Sequence, residues 1–252
     1  MTDSRTDAHL ARDLAVAAGD VLLAIRADFP AEGDPRALKD AGDAGAHNYL
    51  VAALAQARPH DAVLSEEGAD DLARLTADRV WIVDPLDGTR EFSERPRDDW
   101  AVHVALWERG SLVAGAVALP ARGVTYGTDE PPVLPARSSA KIRLAVSRSR
   151  PPAWLPTLVT LLDAELVAMG SAGVKAMSVL DGSTDAYVHA GGQYEWDSAA
   201  PVVVAAAAGL HTSRVDGSPM IYNQRNVLLP DLIVCRPELA QQVLAAVATL
   251  GL

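Results

Sequence analysis

The sequence predicts an α/β protein with an α+β N-terminal lobe over residues 1–130 and an α/β C-terminal lobe over residues 140–252. Three observations carry this. From residue 140 onward, short apolar runs alternate with helical periodicity, the pattern of α/β layering. Before that, two apolar runs at 100–107 and 112–119 flank Glu108-Arg109-Gly110-Ser111 and read as an antiparallel hairpin. Between the two parts, the stretch from Pro131-Pro132 to Ser139 has linker composition. A chain of 252 residues is long enough for a well-buried core in one large domain or two lobes.

Along the chain, Leu10, Leu14, Ala17, Val21, Leu22 and Ile25 fall at spacings of three and four, which predicts a helix over 8–28. Pro30, Gly33, Pro35 and Gly42 predict a loop over 29–43, followed by a second helix over 44–57. A short strand at 62–64 leads into Ser65-Glu66-Glu67-Gly68. The apolar run 80–83 reads as a buried strand that ends at Asp84. Beyond the linker, strands are predicted at 142–146, 165–169, 186–189 and 232–235. Helices are predicted at 153–162, 172–180, 198–208 and 237–250.

Composition excludes several classes. Apolar residues make up 49%, so the chain is globular. A net charge of -11 argues against binding nucleic acid polymers, which requires a basic face. The single cysteine, Cys235, allows neither an intrachain disulfide nor a zinc cluster, and its apolar context reads as core. The N-terminal segment is polar, and the longest apolar stretch, 201–210, is too short to span a bilayer. A cytoplasmic enzyme with no membrane partner is therefore expected.

The chemistry concentrates in Asp84-Pro85-Leu86-Asp87-Gly88-Thr89, a turn at a strand end. Pro85 fixes one φ angle and Gly88 admits backbone that other residues resist, so the turn can aim two carboxylates at one point. Carboxylates forced together repel unless a cation lies between them, and an all-oxygen set suits a hard divalent ion such as Mg²⁺. Glu66 follows a strand, and Asp197 stands where a helix begins. Singly, each acid has an ordinary explanation: Asp197 as an N-cap, Glu66-Glu67 as a solvated loop, Asp84 and Asp87 as turn formers. It is the set, at three separate strand or helix ends, that points to a metal site. Gly170-Ser171-Ala172 precedes a helix and could leave backbone amides free for a phosphate, or could simply permit close packing. The histidines, including His103 and His189, lack metal-ligand spacing and read as core or surface residues. Trp81, Trp100 and Trp107 read as packing.

Taken together, Ser65-Glu66-Glu67, Trp81-Ile82-Val83-Asp84-Pro85-Leu86-Asp87-Gly88-Thr89, Gly170-Ser171-Ala172 and Trp196-Asp197-Ser198-Ala199-Ala200 resemble the inositol monophosphatase superfamily of metal-dependent, lithium-sensitive phosphatases. The likeness runs from the first helix to near the C-terminus. Arg90-Glu91-Phe92, Ser171-Ala172-Gly173-Val174-Lys175 and Gly191-Gly192-Gln193-Tyr194-Glu195 resemble its CysQ-type branch, in the actinobacterial form.

The resemblance implies a layered αβαβα sandwich of the inositol monophosphatase and sugar phosphatase type. It implies hydrolysis of a small phosphate monoester, with the 3′-phosphate of 3′-phosphoadenosine 5′-phosphate as the expected target and a role in sulfate assimilation. Inositol 1-phosphate and fructose 1,6-bisphosphate are the alternative substrates, and a non-catalytic metal- or nucleotide-binding regulator is a minor alternative. Two or three Mg²⁺ ions are expected, with Li⁺ inhibitory, held by Glu66, Asp84, the carbonyl of Leu86, Asp87 and Asp197. Thr89 and an acid from the N-terminal lobe are expected to orient the attacking water. The family places that acid after a longer Lys-containing loop, whereas Lys39-Asp40-Ala41-Gly42-Asp43 is compressed here. Asp43 fits best and Asp40 is the fallback. Gly88, Thr89, Arg90, Gly170, Ser171, Ala172, Lys175 and Glu195 are expected to hold the substrate. A homodimer is also implied.

Overall fold

The computed structural model describes residues 5–252; residues 1–4, part of the polar N-terminal segment, lie outside the described residues. Two helices open the chain, α1 (Asp7–Asp28) and α2 (Pro35–Ala57). A first sheet follows, with strands β1 (Ala62–Ser65), β2 (Arg79–Asp87), β3 (Ala101–Glu108), β4 (Ser111–Leu119) and β5 (Val124–Gly127) in that spatial order. A 3₁₀ turn, Leu72–Thr76, separates β1 from β2, and a short helix, α3 (Thr89–Ser93), follows β2. Strands β1 and β2 pair in parallel, and the other neighbours are antiparallel. The expected hairpin forms around Arg109-Gly110, both at positive φ, the two-residue turn whose twist matches its strands.

The second half alternates as its sequence pattern requires: β6 (Ile142–Ser147), α4 (Leu155–Leu162), β7 (Ala164–Met169), α5 (Ala172–Leu180), β8 (Ala186–Tyr194), α6 (Glu195–Ala207), β9 (His211–Ser213), β10 (Leu228–Cys235) and α7 (Ala240–Ala248). Its sheet has the order β7-β6-β8-β10-β9.

Period-two alternation assigns the strand faces. Trp81 and Val83 of β2, with Val102 and Val104 of β3, pack beneath Leu10, Leu14, Leu22, Leu50 and Leu54 of the first two helices. The intervening Val80, Ile82, Ala101 and Ala105 face the other way. They meet Val174 and Met177 of α5, Ala199 and Val204 of α6, and Tyr187 and Val234 of the second sheet. Beyond that sheet, Leu144, Val188 and Ile233 meet Leu158 of α4 and Val243 of α7. The order is therefore helix, sheet, helix, sheet, helix, the expected αβαβα sandwich. Helix α5, in the middle layer, is buried at every residue, including Lys175. Among the described residues no helix is long and apolar enough to cross a membrane.

Two strands run longer than expected, β8 to Tyr194 and β10 from Leu228, and one element differs more deeply. The stretch 29–43 is not wholly loop, because α2 begins at Pro35. Asp34 caps it, its side chain accepting from the amide of Arg36, and Pro35 fills the first turn, where its missing N–H costs nothing. The same Asp-Pro pair that suggests a turn is here a helix start. Asp43 therefore projects from within the helix rather than from just before it. Gly42 makes this approach possible: a Cβ there would lie 2.7 Å from Phe92 Cε1 and 3.0 Å from Leu86 Cδ2. Helix α2 is thus pressed directly against the Asp84–Thr89 turn.

Replacing Gly42 by Ala should force these side chains apart, at about 1–3 kcal/mol. Thermal melting should report the loss, and turnover should fall with it as the turn shifts. A Gly42→Ala protein as stable and as active as the parent would show that the contact is slack.

Candidate active site

The end of β2 carries the centre of the site. Asp84 is 1% exposed, its Oδ1 accepts the amide of Leu86 at 3.0 Å, and its Oδ2 is buried with no hydrogen-bond donor. Gly88, at φ +88°, turns the chain into α3 and so delivers Thr89, whose Oγ1 donates to the carbonyl of Leu86 at 3.1 Å. The Asp87 Oδ2 sits at the N-terminus of α5 and accepts from Ser171 Oγ at 2.5 Å and from the Gly173 amide at 2.6 Å. Asp197 is in the first turn of α6, where its Oδ2 accepts the Tyr194 amide at 2.6 Å. Asp84, Asp87 and Asp197 each bring an oxygen to within 4.8 Å of the others. Glu66, just past β1, lines the same cleft, and its carboxyl lies close enough to Asp84 for the two acids to influence each other's ionisation.

The electrostatics record this crowding. Burial, and then the charges of Glu66, Asp87 and Asp197, raise the Asp84 carboxyl well above the ordinary range. Glu66 is pushed up to about 7, first by the enclosing cleft walls and next by Asp197, although solvent reaches it from the cleft. Asp197 is pushed up to about 6 by burial and by Asp87. Asp87 goes the other way: its burial opposes ionisation, but His103, Lys175 and the Ser171 hydroxyl outweigh it and hold it low. His103 is fully buried, with Nε2 3.3 Å from Asp87 Oδ2 and Nδ1 3.1 Å from the carbonyl of Trp196. Burial works against its charge, yet Asp87 and the carbonyl raise its pKa. The donor set is oxygen throughout, the acids exceed the nearby positive groups, and Asp84 Oδ2 lacks a partner. These residues fit a hard divalent cation.

Around this acidic end, Gly88, Thr89, Arg90, Gly170, Ser171, Ala172 and Lys175 all line one cleft of about 580 Å³. Asp43 lies behind the lining, half-buried in α2 and near enough to Thr89 for the hydroxyl to favour its ionised form. Its carboxyl is pushed up to about 7 by burial and by Glu67 and Asp40, with the Thr89 bond pulling the other way. Lys175 is buried; its Nζ donates to the carbonyls of Gly170 and Ser171 and stands 5.4 Å over the Tyr187 ring. Burial lowers its pKa.

The structure does not bring Glu195 to the cleft. Its two carboxylate oxygens accept the backbone amides of Asn223 and Gln224, both at 2.7 Å, on the far side of the α6 start. Nor is the Gly170 amide free for a phosphate, since it donates to Asp99 Oδ2 at 2.6 Å. Two residues that matter here escape the sequence reading. His103 occupies an interior position of an apolar strand, and only its register opposite Asp84 exposes its role. Asp99 precedes β3 in a charged loop and shows no motif of its own.

Comparison with known proteins shows what the whole chain is similar to. The sequence profile of the inositol monophosphatase family matches residues 5–251. A Mycobacterium bovis protein named 3′-phosphoadenosine 5′-phosphate phosphatase is 55% identical over 239 residues, covering 92% of this chain and 89% of its own. The Escherichia coli K12 3′(2′),5′-bisphosphate nucleotidase CysQ is 31% identical over 201 residues, covering 75% of this chain and 81% of its own. Among solved structures, CysQ from Bacteroides thetaiotaomicron superposes with a TM-score of 0.77 at 29% identity, covering 91% of this chain and 97% of its own.

The crowded acids should make folding sensitive to pH and to cations. Glu66 and Asp197 keep their protons to about 7 and about 6 in the folded chain but ionise near the ordinary carboxylate value of about 4 when unfolded. Between about pH 4 and 7 the folded state binds more protons, so its stability falls as pH rises. The raised His103 adds stability that is likewise lost on going up in pH, while the low Asp87 contributes a constant amount above the ordinary carboxylate range. In EDTA the melting temperature should drop from pH 5 to pH 8, and Mg²⁺ at pH 8 should restore it. A melting temperature indifferent to both would count against the cation site.

Proposed function

The chain belongs to the inositol monophosphatase family, and from that premise we propose that it is a Mg²⁺-dependent phosphatase that removes the 3′-phosphate of 3′-phosphoadenosine 5′-phosphate. One observation carries the substrate choice: the cleft has two unlike ends. Its acidic end suits a phosphate bridged by cations. Its other end runs between the β6–α4 connection and β8, where Trp154, Leu155, Val146 and Val188 offer an apolar wall and Arg150 and Ser149 offer polar groups. A nucleoside with a second phosphate matches such a surface, whereas a small polyol phosphate leaves it unused.

Glu66, Asp84, the Leu86 carbonyl, Asp87 and Asp197 would hold two or three ions. When bound, these supply Lewis acidity, lower the pKa of a water molecule and steady the leaving oxygen. The chain's own residues do the rest. Water adds to phosphorus as the bond to the 3′-oxygen breaks; that oxygen takes up a proton from solvent as it leaves, giving AMP and inorganic phosphate. The proton leaving the water needs an acceptor of matched strength, and Asp43, poised at about 7, is one. Thr89 Oγ1 donates to Leu86 O and lies near Asp43, so turning its proton toward the carboxylate would leave a lone pair to orient the water. Lys175 and His103 keep Asp87 ionised, and Arg90 and Lys175 border the phosphate. Li⁺ in place of one Mg²⁺ should inhibit. Clearing this nucleotide would place the enzyme in cytoplasmic sulfate assimilation, and a homodimer is the expected assembly.

Phosphate release should be measured on 3′-phosphoadenosine 5′-phosphate, inositol 1-phosphate and fructose 1,6-bisphosphate, with Mg²⁺ and with EDTA. The nucleotide should be preferred and EDTA should abolish turnover; equal rates on all three would remove the nucleotide assignment. Truncating Trp154 to Ala should raise KM for the nucleotide roughly tenfold, in keeping with about 1–3 kcal/mol per stacked base, and leave inositol 1-phosphate unaffected.

A second set of variants tests the chemistry. Asp87→Asn should lose turnover while staying folded, which a non-catalytic regulator could not show. Because Asp43 must be ionised to accept a proton, kcat/KM should climb with pH up to about 7. Asp43→Asn should flatten that limb and cut kcat by roughly 10²–10⁴-fold. An unchanged limb would assign the base elsewhere.

A further inference from the structure

Behind the acidic end of the cleft lies a buried cation that none of these steps uses. Arg74 is 1% exposed and occupies the 3₁₀ turn of the crossover that leaves β1 past Glu66 and returns to the start of β2. A guanidinium withdrawn from water must have its donors satisfied. Nε donates to Asp70 Oδ1 at 2.7 Å, and one terminal nitrogen donates both to Asp70 Oδ2 at 3.0 Å and to the Gln224 carbonyl at 2.9 Å. The other terminal nitrogen donates to Asn223 Oδ1 at 2.7 Å, and Asn223 Nδ2 answers by donating to the Arg74 carbonyl at 3.2 Å.

Asn223 sits at φ +59°, the left-handed region that asparagine tolerates better than most non-glycine residues, and its side chain and amide are both engaged there. What it holds is the other side of the turn. The amides of Asn223 and Gln224 grip the Glu195 carboxylate, and the Glu195 amide in turn donates to the Val227 carbonyl at 2.9 Å. Glu195 opens α6, and Asp197 lies in the same helical turn. A continuous run of buried hydrogen bonds thus connects the segment between Glu66 and Asp84 to the element that presents Asp197.

We propose that Arg74 is a positioning residue for the metal site: a strut that sets where α6 begins relative to β1 and β2, and with it the spacing of Asp197 from Glu66 and Asp84. The inference rests on the metal-dependent reading above but not on the choice of phosphate ester. It also accounts for Glu195, whose carboxylate serves as the far anchor of the strut. Arginine suits the position because its planar fork reaches a carboxylate, a side-chain amide and a backbone carbonyl at once; the ammonium of lysine is a point donor without that fork.

The test is Mn²⁺ binding to the full chain by calorimetry, for the parent, Arg74→Lys and Asn223→Ala, alongside the Mg²⁺ concentration that gives half-maximal turnover. Losing an outer support of metal ligands costs about 10–100-fold in affinity. Both variants should therefore bind Mn²⁺ at least about tenfold more weakly and need correspondingly more Mg²⁺. KM for the nucleotide at saturating Mg²⁺ should stay within about twofold. A comparably destabilised variant on the outer layer, Val243→Ala, should keep parental Mn²⁺ affinity; if it weakens binding equally, the strut is only a stability element. Should Arg74→Lys fail to fold, Asn223→Ala, which leaves the Asp70 pair intact, decides alone. Folded variants with parental Mn²⁺ affinity overturn the proposal while leaving the phosphatase reading in place. A parent that binds no Mn²⁺ overturns both.

Discussion

Mutual repulsion among Glu66, Asp84, Asp87 and Asp197 is the constraint around which the rest of the structure is organised. Asp84, Asp87 and Asp197 meet where burial would ordinarily forbid it, with Glu66 beside them at the open side of the cleft, and the nearby positive groups, His103 and Lys175, fall short of neutralising the cluster. Without a divalent cation, protons take up the difference, which is why three of the four carboxyls are raised. A fold that keeps such a cluster spends stability on it, and what it keeps is an acidic triad whose oxygens could hold a metal ion.

The layered architecture makes that crowding reachable. Strands β1 and β2 run parallel and end on the same side, so Glu66 and Asp84 are neighbours although separated along the chain. Helices α5 and α6 fill the layer between the two sheets, and both direct their N-termini at the site. Asp87 is held by the first turn of α5 and Asp197 belongs to the first turn of α6, each placed where the helix dipole favours a negative charge. Helix α2 contributes from the opposite layer, with Gly42 removing the side chain that would keep Asp43 away from Thr89. Three layers thus converge on one cleft, and the second sheet extends it with the apolar wall that favours a nucleotide.

Much of this was legible in the sequence because it is encoded locally. The strand ahead of Asp84, the Asp-Pro-Leu-Asp-Gly-Thr turn and the acid at the start of α6 each announce themselves within a few residues, and the alternation after residue 140 announces the layers. What escaped is encoded at a distance. His103 looks like one polar residue in an apolar strand until pairing with β2 sets it opposite Asp84. Glu195 shares a motif with Asp197 yet points away, because the turn at Asn223-Gln224 captures it from another part of the chain. The Gly170 amide looked available until Asp99, remote in sequence, proved to hold it. The start of α2 was hidden by ambiguous chemistry, since Asp34-Pro35 serves equally as a turn or as a capped first turn.

The central claim, that these four acids together hold divalent cations, is tested most directly by anomalous diffraction from crystals grown with Mn²⁺. The account predicts two or more anomalous peaks between the carboxylates of Glu66, Asp84, Asp87 and Asp197, with the Leu86 carbonyl in contact with one of them. Crystals of active protein with no peak in that cluster, or with Mn²⁺ held only elsewhere, would contradict it.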